Sequence, residues 1–243
     1  MPVLRGQEGR APAFRSCASC RSAGNRFLQT RPALRWRVSW WRVRLPLSPL
    51  QELLANRLAQ RRSVNVELPD ASLAGVAVVV APNPDAVLLI RRAERVGDPW
   101  SGHMGLPGGR FQADDEDLLA TAIRETREEL SLILNPTSLL GVLDDVSPKT
   151  PIPRPVVVRP FIFAIDGRPA LQPNDEVALV LWVPLTELRK AGVYREARIR
   201  IRGEDRLFPA YHLGDHVVWG LTERILTPLL DLITEKGIPT GES

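Results

Sequence analysis

Apolar residues recur along this chain with two periods. Leu50, Leu53, Leu54 and Leu58 share one helical face, as do Leu119, Ile123, Thr126 and Leu130, at the spacing of amphipathic helices with one buried stripe. Ser48-Pro49-Leu50-Gln51 opens the first helix: serine caps, proline suits the first helical position, and glutamine returns the capping bond. The globular unit therefore begins near residue 47.

Between the helices lie short runs rich in branched apolar residues. Val76–Val80 and Ala86–Ile90 read as strands joined across the turn Pro82-Asn83-Pro84-Asp85. Further strands are predicted over Leu139–Leu143, Val156–Ile165, Val177–Val183 and Arg198–Ile201. A final helix is predicted from about His216 to Lys236, kinked at Pro228 and stopped by Gly237-Ile238-Pro239. Strands mixed with a few helices indicate an α+β domain. The longest apolar run, Leu73 to Ala81, is nine residues, half of what a membrane span needs, and reads as a buried strand.

The second helix carries an unusual charge pattern. Over about Asp117 to Leu130 its apolar stripe leaves Glu125, Glu128 and Glu129 on another arc, with Glu125 and Glu129 one turn apart. Like charges at that spacing destabilise a helix by about 0.2–0.5 kcal/mol per pair. Arg124 precedes Glu128 by four residues, but no base is so placed for Glu125 or Glu129. A solvated acidic face is one reading. A hard divalent cation such as Mg2+ or Mn2+, bound through carboxylate and water oxygens with positions open to phosphate, is the other. Pro107-Gly108-Gly109 upstream favours the cation, because paired glycines let the chain or a phosphate approach closely.

Together these residues resemble the signature of the Nudix hydrolases, in which a loop, a helix and a second loop hold a divalent metal against a diphosphate. Gly109 stands at the first glycine, Arg124-Glu125 at the arginine-glutamate pair, Glu128-Glu129 at the double glutamate and Leu132 at the last aliphatic position. The chain departs from the pattern in three ways. The loop is one residue longer, so that Asp115 or Glu116 takes the first acidic position depending on the end counted from; Thr126 replaces an aliphatic residue; Ser131 replaces the closing glycine. The longer loop is similar to the coenzyme A pyrophosphatase branch. So are Gly102-His103-Met104-Gly105-Leu106-Pro107-Gly108-Gly109 and Val218-Trp219-Gly220-Leu221-Thr222-Glu223-Arg224-Ile225-Leu226. That branch's upstream element is only hinted at by Leu88-Leu89-Ile90-Arg91-Arg92.

The resemblance implies an α/β/α sandwich with a mixed central sheet and hydrolysis of a nucleoside diphosphate linked to another moiety. Coenzyme A is the leading substrate, with ADP-ribose or another dinucleotide, or a silent nucleotide sensor, as alternatives. It implies Mg2+ or Mn2+ held by Glu125 and Glu129, with Glu128 as a further ligand or a group behind them and the Gly109 carbonyl as an extra oxygen. Glu125, Glu128 and Arg124 form the catalytic set, with Arg124 orienting the glutamates; the base is Glu125 or an acid on a distant loop, Asp175 and Glu176 being the ones to test. Arg91, Arg92, Gly108 and Gly109 are the expected phosphate contacts, joined by Arg95, while solvated charge at a strand end is the competing reading for the arginines. His103 lies in the approach loop, and Trp219 is expected in the core. The partner is a small-molecule nucleotide, and a homodimer is compatible with the family.

Charge separates the chain into two regions. Residues 1–50 hold ten arginines and one glutamate, a formal +9, whereas residues 51–243 hold 22 basic and 27 acidic residues, −5. The body is acidic, which argues against a nucleic-acid footprint. Residues 1–46, rich in Arg and Trp, read as a basic leader preceding a domain of residues 47–243. The leader resembles a transit peptide, which would direct the chain to mitochondria, but a disordered arm or sequence translated from upstream of the true start is favoured. Cys17 and Cys20 lack the second ligand pair of a zinc site, and so few cysteines fit a reducing cytoplasm.

Overall fold

In the computed structural model, residues 46–96, 100–148, 155–201 and 203–234 are described; the leader and its Cys17-Cys20 pair lie outside them. Helix α1 (Pro49–Gln60) opens with the expected reciprocal cap: Ser48 Oγ accepts the Gln51 N–H at 3.2 Å and Gln51 Oε1 accepts the Ser48 N–H at 2.9 Å. Gln51 is fully buried, and its amide donates to the carbonyls of Val80 and Ile165, fixing the helix to the sheet.

Strand β1 (Ser72–Ala81) is central. It pairs in parallel with β6 (Val156–Ala164) on one side and antiparallel on the other with two strands in succession. These are β2 (Ala86–Arg92) at its C-terminal end and β4 (Gly108–Arg110) opposite Ala74, Gly75 and Val76. Strands β3 (Met104–Gly105) and β7 (Val177–Pro184) pair with β2, and β5 (Leu139–Val142) closes the far edge against β6. The sheet is therefore mixed, with β1 diverging from β2 to admit β4.

Alternate residues of β1 and β2 enter two separate cores, which is why both read as nearly continuous apolar runs. Val78, Val80, Val87 and Leu89 pack with Leu54 and Leu58 of α1 and with Ile225, Leu226 and Leu229 of the last helix, α4 (Gly220–Leu232). Ala77, Val79, Leu88 and Ile90 pack instead with Ala122 and Leu130 of α2 (Leu118–Leu130). Helices thus cover both faces, as an α/β/α sandwich. A short helix, α3 (Leu185–Leu188), follows β7, and strands β8 (Tyr194–Ile201), β9 (Glu204–Leu213) and β10 (His216–Trp219) form a second, antiparallel sheet.

Three expectations need correction. The last helix begins at Gly220 rather than His216, because Val217 and Val218 continue as β10 against His212 and Tyr211, a pairing that suits β-branched residues. Gly108 and Gly109 lie in a short strand rather than in an open turn. The buried arc of α2 comprises Thr121, Ala122, Thr126, Glu129 and Leu130, so the stripe through Leu119 and Ile123 is only its margin. Small side chains on this arc let the helix approach β1 closely; a Cβ on Gly75 would fall 2.2 Å from the Leu118 carbonyl oxygen.

Ser131 closes α2 in the left-handed conformation, φ 56° and ψ 22°, its N–H donating to the Arg127 carbonyl. The turn that glycine adopts most cheaply therefore forms with a Cβ present. Ser131→Gly is expected to raise the stability of the protein by about 0.5–1 kcal/mol, read as an upward shift of the urea midpoint at constant slope.

Candidate active site

The acidic helix, the glycine strand and the second sheet meet at one cavity of about 670 Å³, within the usual size of a small-molecule site. Glu125 and Glu129 project into it from α2, and Gly108 and Gly109 line it from β4.

Their placement follows from two close approaches. Gly108 has φ of 147°, which L side chains rarely adopt, and a Cβ there would lie 2.4 Å from the Gly75 carbonyl oxygen. A Cβ on Gly109 would lie 2.4 Å from the Glu125 carboxyl carbon. The empty face of Gly109 is what makes room for the Glu125 carboxyl. Glu129, only 2% exposed, accepts the Gly108 N–H at Oε2, 3.0 Å away.

Arg124 organises the acids around it. Its Nε and Nη2 bind both oxygens of Asp115, at 2.7 and 2.9 Å, while Nη1 donates to Glu125 at 2.9 Å and to Glu128 at 3.0 Å. Asp115 also accepts from the Gln112 N–H and the Thr121 hydroxyl. The guanidinium beside it holds the Asp115 carboxyl well below the usual carboxylate range. The question of the first acidic position is thereby answered: Asp115 is buried against Arg124, whereas Glu116 is exposed.

The two carboxyls that face the cavity behave in the opposite way. Burial pushes Glu129 up to about 8 against the pull of the Gly108 N–H, and the neighbouring Glu125 raises it further. Burial likewise raises Glu125, opposed by Arg124. Two desolvated acids on one wall have the chemistry that suits a hard divalent cation, whose charge would lift both penalties. Among the described residues no three His, Cys, Asp or Glu side chains form a ready-made coordination sphere. Water and phosphate oxygens would complete it, as they commonly do for magnesium.

The remaining expected residues divide. Arg92 lines the cavity and its charge draws Glu129 down, while Arg91 lies outside the lining, with a buried Nε that has no hydrogen-bond partner among the described residues. Glu128, its side chain 48% exposed, is outside the cavity and paired with Arg124. Glu176 lines the cavity and is bound by Arg95 at 3.0 Å; Asp175 does not line it. Trp219 was expected in the core, but it ends β10 and lines the cavity, with its ring 4.9 Å from His103 and 5.2 Å from Phe208. The helix assumed around it starts one residue later, which is why it faces outward.

Two contributors escaped the sequence reading. Gly75 was absorbed into an apolar run, although a glycine inside a strand signals close backbone approach. Glu223 lines the cavity from α4 at 7% exposure; its segment was matched to the family branch, but the residue itself was given no role.

Comparison with known proteins identifies the family. The family model for the NUDIX domain matches residues 72–202, more than half of the chain. An uncharacterized Nudix hydrolase, NudL, of Cronobacter sakazakii is 30% identical over 164 residues, covering 67% of this chain and 83% of its own. The human mitochondrial coenzyme A diphosphatase NUDT8 is 31% identical over 191 residues, covering 75% and 76%. A solved MutT/nudix family protein from Enterococcus faecalis aligns at 23% identity with a TM-score of 0.49, covering 74% of this chain and 67% of that one. With the domain match spanning the glycine strand, the acidic helix and every strand of the first sheet, this chain belongs to the Nudix hydrolase family.

Proposed function

We propose that this protein hydrolyses the diphosphate bond of a nucleoside diphosphate joined to another moiety, with coenzyme A, cleaved to 3′,5′-ADP and 4′-phosphopantetheine, as the preferred substrate. The observation that carries the reading is the convergence of Glu125 and Glu129 on one cavity beside Gly108 and Gly109. The choice of coenzyme A draws support from the relatives that carry that activity in their names.

In this reading Glu125 and Glu129 hold Mg2+ or Mn2+, with the Gly109 carbonyl as a further oxygen. The bound ion supplies charge neutralisation at the phosphate oxygens and a more acidic water. Arg124, clamped by Asp115, fixes the Glu125 rotamer and draws Glu128 away from the cavity. Arg92 meets phosphate, and Gly108 and Gly109, without side chains, let it approach closely. Water attacks phosphorus, the bridging P–O bond breaks, and the water proton passes to a carboxylate on the wall, Glu125 or Glu176.

The test is turnover of coenzyme A, ADP-ribose, NADH and diadenosine polyphosphates by the purified protein with Mg2+ or Mn2+. Coenzyme A is expected to be cleaved best, and cleavage of ADP-ribose alone would move the assignment to that substrate. Tight nucleotide binding without turnover of any of them would identify a sensor instead.

We place the protein in the cytoplasm, with the mitochondrion as the address if residues 1–46 act as a transit peptide. In either case deletion of residues 1–46 is expected to leave the unfolding temperature and turnover unchanged. No helix among the described residues is long and apolar enough to cross a membrane.

A further inference from the structure

The cavity wall away from the acidic helix is built by the second sheet and α4, and it contains a carboxyl group that the hydrolytic reading does not use. Glu223 Oε1 accepts from the Tyr194 hydroxyl at 2.9 Å and from the Thr227 hydroxyl at 3.1 Å. The Tyr211 hydroxyl lies 2.8 Å from Thr227 Oγ and, since Thr227 gives its proton to Glu223, acts as the donor there. Two hydroxyls thus donate directly to a single oxygen and a third backs one of them, fixing the rotation of the carboxyl group. Oε2 has no hydrogen-bond partner among the described residues, and it is not among the buried orphan atoms. It is the open acceptor of a nine-tenths buried group in the cavity lining.

Aromatic rings line the same cavity as this acceptor. Trp219, four residues before Glu223, and Phe208 give the cavity a planar stacking surface in addition to the open carboxylate oxygen. A second phosphate is an unfavourable occupant there. A planar ring bearing an N–H donor fits both features, and adenine, whose one exocyclic donor is its 6-amino group, is the ring shared by the candidate substrates.

We propose that Glu223 and Trp219 form the nucleobase subsite, with Trp219 stacking on adenine and Glu223 Oε2 accepting a hydrogen bond from its 6-amino group. The substrate class is thereby narrowed to adenine-containing diphosphates. This rests on the hydrolase reading for the choice of ring, but its test is a binding measurement that does not require turnover.

Titration calorimetry with AMP and IMP on the full chain gives the result directly. Hypoxanthine presents a carbonyl oxygen where adenine has its amine. The wild type is expected to bind AMP about tenfold or more tightly than IMP, the effect of one hydrogen bond to a charged group. In Glu223→Gln the hydroxyls of Tyr194 and Thr227 hold the amide oxygen, so the amide NH2 faces the cavity. That variant repels the amine and donates to the carbonyl, and the preference is expected to invert towards IMP. Trp219→Leu is expected to weaken both nucleotides by a similar factor and to keep their ratio. Equal wild-type affinities for AMP and IMP, or a folded Glu223→Gln protein with the wild-type ratio, would overturn the subsite. Absence of turnover on every diphosphate substrate alongside an inverted ratio would instead refute the hydrolase reading and leave the subsite standing.

Discussion

Exchanging Glu129 for glutamine is expected to lower turnover by on the order of 10³-fold while making the metal-free protein more stable. Both effects follow from one carboxyl. Glutamine keeps the size of the side chain, and its amide oxygen still accepts the Gly108 N–H, so the junction of α2 with β4 is retained. What is lost is an acid that folding must hold neutral or bury as a charge, since its burial opposes ionisation strongly enough to push the group up to about 8. Relief of that burial is worth about 1–3 kcal/mol, read as a higher unfolding temperature in the presence of a chelator. With Mg2+ added, the wild type is expected to gain stability and the variant not. Glu125→Gln is expected to lose turnover to a similar degree with a smaller gain in stability, since Glu125 is already bonded to Arg124. A Glu129→Gln protein that keeps turnover within tenfold of the wild type would remove the acidic pair from the chemistry.

A contrast between two glycines carries the second large effect. Gly75→Ala places a methyl group 2.2 Å from the Leu118 carbonyl oxygen, with the Ala122 backbone nitrogen at 3.2 Å. Backbone on both sides cannot step aside without lifting α2 off the sheet, and the loss is about 3 kcal/mol or more, visible as a collapse of the urea midpoint. Gly109→Ala meets the end of a side chain instead, the Glu125 carboxyl at 2.4 Å. Glu125 moves, the fold survives, and turnover falls by about 10²-fold through misplacement of the carboxylate. Near-wild-type stability with impaired kcat for Gly109→Ala, beside gross destabilisation for Gly75→Ala, is the expected pair of results. The opposite assignment would mean that Gly109, and not Gly75, sets the distance between helix and sheet.

The sequence made the helix of the acidic residues legible because periodicity and the glutamates agreed over more than three turns. The same holds for α1, whose capping box is local in sequence and hence readable from it. The pairing of strands was less so. Gly108-Gly109 in isolation has the composition of a turn, and only its partners on β1, more than thirty residues earlier in the chain, make it a strand. Asp115 and Glu116 could not be told apart by counting from either end of the loop; the bidentate grip of Arg124 separates them in space. Glu128 was read either as a further ligand or as a group behind Glu125 and Glu129; Arg124 holds it outside the cavity, a placement that only the fold reveals. Glu223 and Trp219 were unreadable as site residues because the elements that bring them to the cavity, β8 to β10, are a separate sheet whose docking leaves no periodic trace.

That division between two sheets has a consequence for how such a molecule can change. The acids and glycines belong to one sheet and its helix, whereas the aromatic wall belongs largely to a three-strand meander and the start of the helix after it. Selection, or an engineer, can therefore retailor the meander for a different guest and leave the bond-breaking apparatus untouched. Transplanting β8 to β10 between related enzymes should carry ligand preference with it.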